Sequence, residues 1–262
     1  MRAMHQAAKL LSLPLAWLTC TCAHAQQSEP AATPFRPTVT SGAAISLPGW
    51  LELELGGQRL GGHGADRRSS LPYLLKYSFN EQWALLLGGD ARVSSRPAGA
   101  PALSGMGDTA LTLKWRGSAA PEGTSYGVEA SIKFPTAGTG LGSGERDYGL
   151  KGIYGLDIAE GWHLDGNLLA TQLGAVDTGQ GRLQSAWAMA LSHSVGPAWT
   201  LAADLSGTHQ RGAADTAQLL AAASYALSPR LVLDGGLAGG LNRNTPKWTL
   251  FAGMTVLLGQ LH

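Results

Sequence analysis

From Trp50 to Leu258 the chain alternates apolar and polar residues with a period of two, starting with Trp50-Leu51-Glu52-Leu53-Glu54-Leu55. Successive side chains of a β-strand point to opposite faces, so the pattern predicts strands with one apolar and one polar face. About twelve segments fit, each near the roughly 9–11 residues that a tilted membrane strand requires. They run Trp50 to Arg59, Leu71 to Phe79, Gln82 to Arg92, Asp108 to Arg116, Ser125 to Phe134, Asp147 to Leu156, Trp162 to Leu173, Leu183 to Val195, Trp199 to Thr208, Gln218 to Leu227, Leu231 to Gly239 and Lys247 to Leu258. Leu53, Leu85, Leu111, Leu113, Val128, Ile132, Leu164 and Leu201 mark the apolar face. The polar face carries Glu52, Glu54, Lys76, Asp90, Asp108, Lys114, Glu129, Lys133, Asp147, Lys151, Asp165, Asp204 and Asp234.

The connections alternate in length. Leu60 to Ser70, Val93 to Gly107, Thr136 to Arg146 and Gly174 to Arg182 are long and rich in Gly, Ser and charge, whereas Asn80-Glu81, Asp157 to Gly161, Gly196 to Ala198 and Ser228 to Arg230 are short. Gly117 to Thr124 departs from the alternation. Long loops at one rim and tight turns at the other predict an all-β fold: an antiparallel, up-and-down transmembrane barrel of outer-membrane type, loops extracellular and turns periplasmic. Aromatic residues agree, because rings favour the two membrane interfaces. Phe79, Trp83, Trp115, Tyr126, Tyr154, Trp162, Trp199 and Tyr225 stand next to the turns, and Tyr73, Phe134, Tyr148, Trp187 and Trp248 next to the loops. A soluble sandwich also alternates, but it would not place ionisable residues on nearly every opposite face.

The start of the chain sets the compartment. Arg2 and Lys9 flank an apolar run from Leu10 to Leu18, and Ala23-His24-Ala25 offers a small-x-small cleavage site, so residues 1–25 read as a secretory signal peptide. The run is too short to cross a bilayer as a helix. Cys20 and Cys22 both fall inside it, which leaves the remainder without cysteine and hence without disulfides. A lipoprotein signal would also use such a cysteine, but Thr19 and Thr21 stand where a smaller residue normally precedes one. Residues 26–49 hold Pro30, Pro34, Pro37 and Pro48 and read as a periplasmic lead-in with little structure of its own, a tail rather than a plug, before a barrel over 50–262.

Removing residues 1–25 leaves 17 Lys+Arg against 18 Asp+Glu, so no basic field exists to attract nucleic acid. Charged residues make up only 14% of the chain, few for a soluble domain, while the polar face is too rich for a helical membrane bundle.

Several segments resemble a family of Gram-negative outer-membrane proteins named after the meta-cleavage pathway of phenol degradation and treated as transporters. They are Arg36-Pro37 ahead of Pro48-Gly49-Trp50-Leu51-Glu52-Leu53-Glu54, Gly105-Met106-Gly107-Asp108-Thr109-Ala110-Leu111-Thr112-Leu113-Lys114, and Ser131-Ile132-Lys133-Phe134-Pro135-Thr136-Ala137-Gly138. Gly142-Ser143-Gly144 with Asp147-Tyr148-Gly149, and Trp248-Thr249-Leu250-Phe251-Ala252-Gly253-Met254-Thr255, complete the set. The resemblance implies a barrel of about twelve strands that passes or binds hydrophobic or aromatic compounds. It carries over no catalytic residue. Barrels of this kind usually finish on an aromatic residue that the barrel-assembly machinery uses, whereas the last residues here are Gly259-Gln260-Leu261-His262.

A lumen of about twelve strands lies between barrels filled by side chains and open porins. The charged residues named above then either form a solute site or neutralise one another, and the second role is the default for any one of them, since a charge in a narrow lumen needs a partner. Asp108 and Asp147 are expected at the extracellular mouth with Lys114, Lys133 and Lys151 deeper, an acid-over-base arrangement. Catalysis would need a nucleophile beside a base. His193 is flanked by Ser192 and Ser194, which point to the opposite face, and His163 with Asp165 sits at a turn rather than the outer rim, so no enzyme is expected. Gly138 to Gly144 is followed by neither a helix nor a suitably placed Lys, so it is no phosphate loop. His63, His163, His193 and His209 lack metal spacing, and neither cofactor nor metal is expected. The function expected is a narrow outer-membrane channel or transporter for small, aromatic or hydrophobic solutes, with outer-membrane lipid and the solute as partners. The alternative is a structural or adhesive barrel with ligand-binding loops.

Overall fold

The computed structural model describes residues 29–261 except 63–66, 98 and 119; the expected signal peptide lies outside the described residues. The strands are β1 (Trp50–Gly61), β2 (Arg67–Ser78), β3 (Trp83–Arg96), β4 (Leu103–Gly105), β5 (Thr109–Arg116), β6 (Thr124–Phe134), β7 (Asp147–Ala159), β8 (Trp162–Gln172), β9 (Leu183–Val195), β10 (Trp199–Gln210), β11 (Thr216–Ser228), β12 (Leu231–Gly240) and β13 (Trp248–Gln260). Neighbours pair antiparallel, and β13 closes on β1 from Trp50↔Gln260 to Gly61↔Trp248. The short β4 occupies the same position beside β3 as β5 does, further toward the loops, so the closed barrel has twelve strand positions. Closure pairs each of the twelve long strands on both sides, which a strand array in lipid requires, and only the short β4 at the loop rim has a single neighbour.

Every long segment of alternation became a strand, but the first hairpin rises further than its pattern suggested. The expected loop from Leu60 to Ser70 is mostly paired, with Arg59 opposite Ser69 and Gly61 opposite Arg67. Apolar alternation ends where the barrel leaves the membrane, yet backbone pairing needs no apolar side chain, so the ladder continues. On β3 a bulge places Leu71 opposite Arg92 and Pro72 opposite Asp90, which leaves Ala91 unpaired and reverses the alternation beyond it. Pro72 lacks an N–H and sits at this irregularity, where a donor is not missed.

The two faces differ as the alternation demands. Leu113, Leu150, Leu168, Leu201 and Leu237 are exposed on the outer face, Leu168 to 73%, while Glu52, Lys76, Lys114 and Asp204 are fully buried within. Such an apolar band has a favourable environment only in lipid. Rings girdle the short-turn rim: Trp83 meets Trp115 at 6.5 Å between centroids, Trp115 meets Tyr126 at 5.7 Å, and Trp199 meets Tyr225 at 4.8 Å. At the loop rim Trp248 lies across Gly61 at the closing seam, where a Cβ would come within 2.7 Å of the indole.

Candidate functional site

The expectation of a lead-in outside the barrel does not hold. The segment from Thr33 to Ser46 lies inside the lumen as a plug. It enters at the short-turn rim, where Ala32 N–H donates to Pro229 O at 2.8 Å, and returns to the same rim, where Gly49 N–H donates to Ser78 O at 2.8 Å. In between it touches strands on every side. Thr33 and Phe35 N–H donate to Glu52 and Glu54 at 2.8 and 2.6 Å, Arg36 pairs with Asp234 at 3.0 Å, and Ser41 N–H donates to Asn167 Oδ1 at 2.7 Å. Thr40 donates its N–H and hydroxyl to the same Asp204 oxygen at 2.8 and 2.6 Å. Lys114 donates to Gly42 O at 2.6 Å and Lys151 to Ser41 Oγ at 2.9 Å. A non-strand segment shielded from water must find acceptors for its N–H groups, and the wall carboxylates supply several of them.

Two glycines of the wall make room for this plug. A Cβ at Gly56 or Gly253 would come within 2.7 Å of the Arg36 guanidinium. Arg36 therefore reaches Asp234 only because β1 and β13 carry no side chain there.

From β1 to β7 the inner wall is charged and neutralised. Lys76 contacts Glu52 and lies 2.6 Å from Glu54. Lys114 and Lys151 share Glu129 at 3.2 and 2.8 Å. The ammonium groups of Lys76 and Lys114 stand 3.9 and 4.0 Å from the centroid of the Phe35 ring, so the plug's one aromatic side chain is held by cation–π contacts. Paired acids and bases thus line this side, with the apolar Ala84 and Leu86 of β3 between Lys76 and Lys114, and clamp the plug.

From β9 to β11 the inner wall is small and mostly uncharged, and open space follows it. A cavity of about 370 Å³ toward the loops is bordered by Val39, Asn167, Ala186, Ala188, Ser206 and Gln218. A second, of about 300 Å³ toward the turns, is bordered by Thr38, Asp165, Ala190, Ser192, Ala202 and Ser224. The plug tip separates them. On β10 Asp204 stands between Ala202 of the lower cavity and Ser206 of the upper, and on β8 Asn167 stands between Asp165 and Leu169. The division is therefore made by Thr40 on Asp204 and Ser41 on Asn167. The other Asp204 oxygen, Oδ1, is buried without a hydrogen-bond partner.

The mouth departs from the acid-over-base expectation. Lys133 reaches up between Asp108 and Asp147, at 3.3 and 2.7 Å, so base and acids share one level. Loop N–H groups hold the acids as well, Ala137 on Asp108 at 3.0 Å and Gly174 on Asp147 at 2.9 Å. Register itself places Lys133 directly opposite Asp147, and its side chain covers the two residues that separate it from the level of Asp108. Asp90 sits at the same rim, 3.5 Å from Arg68.

Asp165 lies at the short-turn end with His163, whose Nδ1 meets Asp157 at 2.5 Å and whose Nε2 meets Asp165 at 3.3 Å. Both ring nitrogens are thus engaged by carboxylates. His193 stacks on Trp162 at 4.2 Å on the outer face, away from Ser192 and Ser194. Among the described residues no group of His, Cys, Asp and Glu gathers as a metal site.

Phe35, Arg36, Thr40, Ser41 and Asn167 are the lumen residues that the alternation did not mark. One signal pointed to them: the buried carboxylates Glu52, Glu54, Glu129, Asp204 and Asp234 outnumber the lysines Lys76, Lys114 and Lys151, so further donors were required.

Known proteins add a lineage and a fold. The model of the family described as the MetA-pathway of phenol degradation matches residues 39–258. No curated protein sequence matches the chain. Among solved structures, an outer membrane channel from Pseudomonas putida F1 superposes with a TM-score of 0.66 at 18% identity, covering 82% of this chain and 98% of that one. The KdgM porin gives 0.56 at 8% identity, covering 79% and 99%, and the CymD monoaromatic hydrocarbon channel gives 0.50 at 11%, covering 82% and 90%. At these identities the likeness concerns the barrel itself.

Proposed function

The chain belongs to the family of the MetA-pathway of phenol degradation, and on that premise we propose that it is a narrow outer-membrane channel for small hydroxylated aromatic solutes. The observation that carries this reading is the pair of cavities on the sparsely charged wall, divided by a plug contact whose carboxylate keeps one oxygen unpaired. Small side chains leave ring-sized space beside the plug, and Asp204 Oδ1 is an acceptor for a phenolic hydroxyl. Passage requires Thr40 to leave Asp204, and a solute hydroxyl that donates to Asp204 offsets part of that loss. The charged wall on the other side holds the plug, so opening is a local shift of its tip rather than its ejection. The mouth, with Lys133 neutralised, sets no strong charge filter. In this reading the protein is a conduit.

Bilayer conductance tests it. Removing residues 33–46 should raise the current several-fold, and Asp204→Ala should raise it less while weakening block by added catechol. If the plug-deleted barrel still migrates as a folded species but conducts no better than the intact chain, the lumen is not the route.

A further inference from the structure

The outer face carries one group of charges that the channel does not use. On the loop side of β1, β2 and β3, Arg59, Arg67, Arg92 and Arg96 all point outward and are exposed. Their direction follows from the ladder. Gln58 and Ser70 hydrogen-bond to each other on the inner face at 2.9 Å, which turns their neighbours Arg59 and Ser69 outward. The bulge at Ala91 does the same for Arg92, placing it opposite Leu71 with Val93 fully buried inside.

Arg67 and Arg96 are direct cross-strand partners, and Arg59 and Arg92 lie on the rows just below. Like charges directly opposite each other destabilise a sheet. None of the four forms an ion pair among the described residues, and the one such pair in this region, Arg68 with Asp90, lies on the inner face. A cationic group of this density therefore lacks its counter-charge within the described chain.

Below it the surface is apolar and concave. Gly57, Arg59, Ser69, Leu71, Arg92 and Leu250 border an outward cleft of about 410 Å³. Gly57 and Ser69 keep its floor low, and the half-exposed Leu71 and Leu250 stand directly across from Arg92 and Arg59. Two guanidinium groups thus flank a shallow apolar groove on the loop side of the outer face.

We infer that this cleft binds a phosphorylated glycolipid of the outer leaflet, the arginines taking its phosphates and the groove its first acyl segments. Guanidinium forks match phosphate oxygens in bidentate geometry, and basic clusters at a membrane surface select anionic headgroups. The ligand must be amphipathic, since charge and apolar groove are adjacent. The site is independent of the transport reading: it needs only the barrel's place in the membrane with its loops outward.

The purified barrel in detergent should be titrated with bisphosphorylated lipid A and with its dephosphorylated form, binding being read by native mass spectrometry. The phosphorylated lipid should bind about tenfold tighter or more. Arg59→Ser combined with Arg92→Ser should remove that preference, whereas Arg68→Ser should keep it. Replacing both Arg59 and Arg92 by Lys should restore only part of it, because an ammonium cannot make the bidentate contact. Inorganic phosphate in the millimolar range should fail to displace the lipid; complete displacement would make this a free-phosphate site and overturn the lipid assignment. Equal binding of the two lipids by the unmutated protein would overturn it too. So would an undiminished preference in a double Ser variant that still shows heat-modifiable migration.

Discussion

From β1 to β7 the inward positions include Glu52, Glu54, Lys76, Lys114, Glu129 and Lys151, whereas from β9 to β11 they include Ala188, Ala190, Ala202, Ser206 and Ala222, interrupted by Asp204. Both stretches obey the same alternation. They differ in what burial asks of them. A buried charge demands a partner at short range, so the first wall is locked by its own ion pairs and by the plug that completes them. A buried alanine demands only contact, and where the plug does not supply it, space remains. The plug is thus held by ion pairs on one side and bordered by two cavities on the other, while a further cavity of about 310 Å³ lies toward the turns between Phe35, Arg116, Ser125 and His163.

The largest effect should come from breaking the locked wall. Lys76→Met leaves Glu52 and Glu54 buried without their cation and should cost about 3–5 kcal/mol, read from urea unfolding of the barrel in vesicles by tryptophan fluorescence. A loss well under that figure would mean that the lock is not where the plug is held. Next comes a charge on the wrong face. Leu113 is the outward neighbour of Lys114, and Leu113→Arg should cost about 2–4 kcal/mol by placing a cation in lipid. If this variant were as stable as Leu113→Ala, the assignment of inner and outer faces would be reversed.

The mouth should respond least in stability and most in selectivity. Asp108→Asn with Asp147→Asn removes both carboxylate partners of Lys133 at a partly exposed site and leaves it Ser143 Oγ, for about 1 kcal/mol. It leaves an ammonium without a counter-charge at the entrance, and the reversal potential under a salt gradient should move toward anion preference. An unchanged potential would show that ions do not pass this point.

The barrel was legible because lipid outside and polar groups inside force a period of two, and Glu52-Leu53-Glu54-Leu55 or Leu111-Thr112-Leu113-Lys114 carry it plainly. The plug was not legible, because residues 33–46 have no periodicity and their partners Asn167, Asp204 and Asp234 lie far along the chain. Only the surplus of buried acids hinted that something must enter the lumen. The outward arginines were hidden for a different reason: uniform alternation from Asp90 would turn Arg92 inward, and one unpaired residue, Ala91, reverses it. The expected depth of Lys133 failed because the β6–β7 register, which alternation does not specify, sets it level with Asp147.

The central claim is that solute passes along the sparsely charged wall, and blocking that wall from solution tests it most directly. Ala188 borders the upper cavity, and the only cysteines, Cys20 and Cys22, lie in the expected signal, so Ala188→Cys offers a single thiol there. After reaction with a bulky, membrane-impermeant maleimide, uptake of radiolabelled catechol by intact cells should fall to the level of cells without the protein, while Ala188→Cys left unlabelled should transport normally. Complete labelling with undiminished uptake would contradict the account and place the route elsewhere.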